Sequence, residues 1–339
     1  MFLIDKFRPD NISNAFFHKS QLNLLKKISL DEAMPHMIFY GPEGSGKKTI
    51  LNIFLEMLFD SDVNKTKEVN YKVTSSGNKI TMEKIKQSNY HIVIEPKNTN
   101  YDRYLIHDIV KEYAKRKSLG VFKTNRQFRV ILINNIENMS YYALTALRRT
   151  MERYNDKCRF IMWCNSLSKV IKPLQSRCIC LSIPSPTPQD MFEYLFRISA
   201  KEHINIGLDK YIQIVDKAQG NIKIALWNLE FAKHNLECAT NYEKIIEQIV
   251  QLILKHNHGD IHMIRNMIFS LTITNCKAID ILRDLINKFC SQPIDDNLKY
   301  KIVKLGTETG YGIINGRREI IHFDAFVVST MKFIYESKL

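Results

Sequence analysis

The chain has 339 residues and contains no run of 18 apolar ones, so it offers no helix able to span a bilayer. Paired C-x₂-C units are missing too. The seven cysteines are scattered, with Cys178-Ile179-Cys180 the one close pair, which leaves a zinc ribbon without ligands. Reduced thiols in an intracellular protein fit that pattern. Met1-Phe2-Leu3-Ile4 is followed at once by Asp5 and Lys6, too short and too charged a start for a secretory leader. We find no internal repeat, no low-complexity tract and no dense basic run of the nuclear-localisation type. Negative charge is in short supply, with 35 acidic residues against 49 Lys and Arg and a net charge of +14. That excess points to a polyanionic partner, nucleic acid first.

What is present is otherwise ordinary for a globular protein, with 45% hydrophobic and 25% charged residues. The length calls for two or three domains. Between 36 and 183, strand-like runs (His36–Tyr40, His91–Glu95, Phe128–Ile133, Cys158–Cys164, Ile179–Ile183) alternate with helical patterns at 50–58, 102–117 and 141–154. Such alternation predicts an α/β fold, a parallel sheet with helices on both faces. Val69–Ser75 and Lys79–Thr81, around Ser76-Gly77-Asn78, read as an inserted hairpin. Pro184-Ser185-Pro186-Thr187-Pro188 marks a domain boundary, because proline ends both helices and ladders. Beyond it, Met191, Tyr194, Leu195 and Ile198 start a small helical domain. Stripes such as Ile245, Ile246, Ile249, Val250, Ile253 and Ala278, Ile281, Leu282, Leu285, Phe289 predict a terminal helical bundle. The expected domains are therefore 1–184, 185–237 and 238–339.

Residues 41–49, GPEGSGKKT, form a phosphate-binding loop with one departure. Gly41, Gly46 and Lys47 fit Gly-x-x-x-x-Gly-Lys-[Ser/Thr], an apolar run precedes them and a helical pattern follows. The glycines let backbone N–H groups close on a polyphosphate at a helix N-terminus, and Lys47 reaches the outer phosphates. The next position needs a hydroxyl for Mg²⁺, yet it holds Lys48. Thr49 lies about 100° further round the helix and is poorly placed to substitute.

Several motifs then fall in a recognisable order: Asp5-Lys6-Phe7-Arg8-Pro9, the loop at 41–49, Ser88-Asn89-Tyr90-His91, Ala146–Glu152 (ALRRTME), Cys164-Asn165-Ser166, Ser176-Arg177-Cys178 and Gly220–Leu226 (GNIKIAL). Over essentially its whole length the chain resembles the small subunits of replication factor C, the AAA+ sliding-clamp loader. The Gly-Lys-Lys-Thr variant and Gly316–Phe326 make it most similar to the subtype called subunit 3 in vertebrates and subunit 5 in yeast. The resemblance implies an AAA+ P-loop domain, a helical lid and a C-terminal collar. It implies a nucleotide site built from Arg8, Pro9, Gly41, Pro42, Gly44, Ser45, Gly46, Lys47, Lys48 and Thr49, with Asn165 and Lys223 as sensors, binding ATP or ADP. Lys223 stands where Arg is commoner and lacks the bidentate fork. Arg177 matches an arginine finger given in trans to a neighbour's nucleotide. Arg148 and Arg149 fit either a neighbouring subunit, a phosphate or a solvated basic face.

The third strand departs from the family. Where the pattern is Asp-Glu-x-Asp, it reads Asn134-Asn135-Ile136-Glu137. Amides carry no charge for Mg²⁺ and take no proton from water. We see no way for Glu137 to replace the lost pair. With Lys48, these changes make a poor site for Mg²⁺ and for hydrolysis. The expected function is a nucleotide-holding, finger-lending subunit of a hetero-pentameric loader. Its partners are the other subunits, a ring-shaped clamp and primer–template DNA. Arg103 is the first DNA candidate, beside Lys111, Lys115, Arg116 and Lys117. The family default is the nucleus. A composition rich in Asn, Ile and Lys also suits a large DNA virus replicating in cytoplasm. Two alternatives stay open: an active AAA+ DNA motor such as a branch-migration helicase, and a nucleotide-free scaffold.

Overall fold

The computed structural model describes residues 1–339 except 32–33, 60, 75–79, 97–101, 116–127, 235, 237–240, 256, 275, 317 and 339. The turn Ser76-Gly77-Asn78 and the basic residues Arg116 and Lys117 lie outside the described residues. Seven strands form one sheet: β1 (Met37–Tyr40), β2 (Lys67–Thr74), β3 (Ile80–Gln87), β4 (His91–Ile94), β5 (Arg129–Ile133), β6 (Cys158–Cys164) and β7 (Ile179–Ser182). Their spatial order is β2-β3-β4-β5-β6-β1-β7. From β4 to β7 every pair is parallel, while β2 and β3 form an antiparallel hairpin that extends the β4 edge.

Period-two alternation builds the two faces. Met37 and Phe39 of β1, with Val130 and Leu132 of β5, enter one core; Ile38, Ile131 and Ile133 enter the other. The first core is closed by α2 (Lys19–Leu30) and α3 (Lys47–Phe59), which follow the short α1 (Leu3–Lys6). The second is closed by α4 (Asp102–Lys115) and α5 (Tyr141–Arg153), through Ile106, Ile109, Val110, Leu144, Leu147 and Met151. Ser140 caps α5, accepting from the Ala143 N–H. The hairpin strands are longer than the sequence pattern predicts. Lys86 and Gln87 continue the ladder onto Val93 and Ile92, and that pairing holds them extended despite their polarity.

After the single-turn α6 (Lys172–Gln175) and β7, three helices pack on a core of their own: α7 (Pro188–Glu202), α8 (Leu208–Ala218) and α9 (Ile222–Lys233). Thr187 caps α7 with Pro188 in its first turn, where the missing N–H costs nothing. Leu3 of α1 is buried in this core, its N–H donating to Glu230 Oε2 at 2.7 Å. Glu202 ties Lys6 and Lys233 to the same cluster.

The chain divides into two units, Met1–Leu236 and Glu237–Leu339. Among its described residues the second is helical: α10 (Asn241–Lys255), α11 (Ile261–Ile273), α12 (Ala278–Cys290), α13 (Asp296–Asn315) and α14 (Glu319–Lys338). Their apolar stripes share one core that includes Ile249, Ile281, Leu285, Phe323 and Phe326. Among the described residues no helix is long and apolar enough to cross a membrane.

Candidate nucleotide site

The site forms where open α/β sheets place ligands, at the carboxyl ends of parallel strands beside a reversal in strand order. β1 lies between β6 and β7, and the loop leaving it turns into α3 at Lys47. Gly41 is required by close approach: a Cβ there would sit 2.0 Å from the Ile183 carbonyl oxygen. Gly44 has φ +75°, and a Cβ would meet Asn221 Oδ1 at 2.0 Å. The three-helix cluster thus rests on the loop itself. Asn221 caps α9 by accepting from the Lys223 and Ile224 N–H groups, and the Ile222 N–H donates to the Gly44 carbonyl at 3.1 Å.

Lys47 is buried, and its Nζ donates to the carbonyls of Gly41 at 2.8 Å and Pro42 at 2.6 Å. Two of three ammonium hydrogens are so used. Burial pulls its pKa below the usual lysine range, against the pull of Cys164, Glu137 and Glu43. Its Nζ also lies 5.6 Å from the Trp163 ring centroid. Ser45 is fully buried and its Oγ has no hydrogen-bond partner, whereas its carbonyl is 2.9 Å from His18 Nε2. A cradle of glycines too tight for Cβ atoms, an orphaned hydroxyl and a buried ammonium fit a polyphosphate. Lys48 is exposed and Thr49 half-buried, so the hydroxyl that Mg²⁺ chemistry needs is not supplied next to Lys47.

The strand ends explain the fate of the altered acids. Asn134 is buried; its Oδ1 accepts from Trp163 Nε1 at 2.8 Å and its Nδ2 donates to Glu95 Oε1 at 2.8 Å. Asn135 holds a left-handed conformation, φ 47°, opening the turn that carries Glu137. Both Glu137 oxygens are engaged: Oε2 accepts from the Asn165 and Ser166 N–H groups at 2.9 Å each, and Oε1 accepts from Asn165 Nδ2 at 2.8 Å. Among the described residues no three His, Cys, Asp or Glu side chains group to hold a metal ion. The residues present do not fit a protein-ligated Mg²⁺. Glu95 and Trp163 escaped the sequence reading. The placement of Glu95 at a parallel-strand end was the available signal.

The other candidates sit at or near the surface. Arg177 is exposed; it pairs with Glu152 Oε1 at 2.7 Å and donates to the Pro173 carbonyl at 2.7 Å. Arg8 pairs with Asp5 at 3.3 Å, with Pro9 half-buried beside it. Lys223 has an exposed side chain on the first turn of α9. Arg103 is exposed on the first turn of α4.

A family model described as "DNA polymerase III, delta subunit" matches residues 17–187. A protein of Acanthamoeba polyphaga mimivirus, named as a replication factor C small subunit, is 38% identical over 98% of this chain and 91% of its own length. Human replication factor C subunit 3 is 29% identical, over 97% of this chain and 94% of its own. Among solved structures, a DNA polymerase III gamma subunit-related protein of Thermotoga maritima aligns over 93% of this chain and 99% of its own. Its TM-score is 0.52 and its identity 10%, which is likeness of fold alone.

Proposed function

Because this chain belongs to the replication factor C small-subunit family of clamp loaders, we propose that it holds a nucleotide it does not efficiently hydrolyse and completes a neighbour's ATP site with Arg177. Membership places it in a hetero-oligomeric clamp loader of DNA replication and gives it an AAA+ nucleotide-binding fold. The rest is our reading. The ring has five members, opens a sliding clamp and sets it on primer–template DNA. Residues 185–237 act as a lid over the nucleotide and 238–339 as a collar joining subunits. Arg103 contacts DNA phosphate. The mimivirus relative favours a viral replication site as the location, and the other relatives favour the nucleus.

One observation carries the reading of the chain's own site. The cradle from Gly41 to Lys47 is complete, while the groups that should activate water are neutral or occupied. The loop backbone, Lys47 and Ser45 hold ATP or ADP by phosphate contacts, and Arg8, Pro9, Asn165 and Lys223 border it. Lys48 supplies positive charge in place of a metal ligand. The neutral pair Asn134 and Asn135 counts against an active motor, and the cradle counts against a scaffold without nucleotide. Trp163 beneath Lys47 gives the test, since the chain has only two tryptophans. With Trp227→Phe as background, Trp163 fluorescence should respond to ATP and ADP equally with or without EDTA. No response in either condition, or a response that requires Mg²⁺, contradicts the reading.

A further inference from the structure

Helices α4 and α5 pack against each other on one face of the sheet and leave a cleft of about 570 Å³ along their outer sides. Arg103, Arg149 and Arg153 line it together with Tyr104, Tyr142 and Tyr154, and no carboxylate is among the described lining residues. Its size is that of a small-ligand site. Arg149 and Arg153 are both exposed and stand four apart on α5, a like-charge spacing that destabilises a helix unless an anion intervenes. Among the described residues neither they nor Arg103 form an ion pair, whereas Arg177 has Glu152. Arg153 lies over the Tyr154 ring, 5.8 Å from its centroid. Tyr142 is 72% exposed at the mouth, edge-on to an equally open Tyr141 at 6.2 Å.

Charge and shape together select the occupant. Three guanidinium groups without a counter-charge ask for an anion. The open ring of Tyr142, in a lining that also holds the half-buried Tyr104 and Tyr154, asks for a flat ring. A DNA duplex offers phosphates on its outside but keeps its base faces stacked, so arginines alone would serve it. Base faces become available only in an unpaired nucleotide, and arginine with aromatic rings is the chemistry that holds one. We propose that this cleft binds an unpaired nucleotide of single-stranded DNA, its base against the tyrosines and its phosphates on the arginines. This rests on the reading that the chain works at primer–template DNA, and adds a base-stacking site to phosphate contact.

The test uses the full chain and two labelled probes at one salt concentration, a 20-nucleotide single strand and a blunt duplex of equal length. The single strand should bind more tightly. Tyr142→Ala should weaken the single strand about 10-fold and leave the duplex unchanged, the usual size of one lost stacking contact. Tyr142→Phe should keep the preference. Arg149→Ala should weaken both probes and lower the salt slope by about one. Equal binding of the probes, a silent Tyr142→Ala, or an equal loss on both overturns the cleft proposal alone. An oligo-glutamate peptide that binds as tightly as the single strand also overturns it. Should neither DNA bind, the DNA reading of the chain falls as well. The role of Arg177 is read separately, by ATP turnover.

Discussion

Arg177 Nη2 lies 2.7 Å from Glu152 Oε1, so the proposed finger is held by the chain that would lend it. A second contact, from Nη1 to the Pro173 carbonyl at 2.7 Å, holds the guanidinium further. Both partners of the ion pair are partly exposed, so the pair adds only about 0–1 kcal/mol to stability. Its value is orientation. Glu152→Ala should leave the unfolding midpoint nearly unchanged and lower kcat of the assembled loader about 10-fold with little change in KM, as expected when a transition-state group is misaimed. Unchanged kcat contradicts a positioning role for Glu152.

Asn134 and Glu95 make a second test. Asn134 Nδ2 donates to Glu95 Oε1, so restoring an acid at 134 alone would remove a donor and set two carboxylates together. Asn134→Asp should cost about 1–3 kcal/mol, read as a lower denaturation midpoint. Exchanging the partners, Asn134→Asp with Glu95→Gln, should recover most of that loss. A single variant as stable as the natural chain, or a loss that the double variant does not recover, contradicts the pairing.

Gly44 joins the loop to the three-helix cluster. With φ +75° and Asn221 Oδ1 in the place of any Cβ, Gly44→Ala is strained twice over. It should weaken nucleotide binding at least about 10-fold, measured by Trp163 fluorescence, because a shift near 1 Å in such a cradle is that costly. Asn221→Ala should cost about 1 kcal/mol of stability by uncapping α9. An unaffected nucleotide affinity in Gly44→Ala contradicts the cradle.

Two histidines set the acid limit. His36 and His91 are buried, and burial lowers each pKa from 6.5 to about 4. The folded chain keeps them neutral while the unfolded chain protonates them below 6.5. Their contribution is therefore whole above that pH and is lost as pH falls toward 4. The slope near pH 5 is about 1.4 kcal/mol per pH unit for each group. Urea unfolding at pH 7 and pH 5 should show a clearly lower midpoint at pH 5, and His91→Gln should flatten the change. Equal midpoints for the natural chain contradict it.

The sheet was legible because alternation in Met37–Tyr40 and Arg129–Ile133 reports both of its faces. The loop was legible because glycine positions and Lys47 answer to local backbone geometry. The wiring behind it was not. Glu137 reaches Asn165 and Ser166, 28 and 29 residues on, and Asn134 reaches Glu95, 39 residues back. Such pairs arise only when strand order brings the ends together. Nothing in the spacing of Glu137 lets it replace a catalytic acid, and its hydrogen bonds to Asn165 and Ser166 engage it at the strand end. Glu152 likewise stood in a recognised motif, but its partner is set by the fold rather than by spacing.

Lending a finger and hydrolysing ATP leave different marks on turnover. ATP turnover by the assembled loader with clamp and primed DNA tells them apart, comparing Arg177→Ala with Lys47→Ala. If Arg177 acts as an arginine finger, Arg177→Ala should lose about 1,000-fold at the affected neighbouring site and Lys47→Ala should lose little. Abolished turnover in Lys47→Ala with a silent Arg177→Ala would make this site catalytic and contradict the reading of Lys48, Asn134 and Asn135.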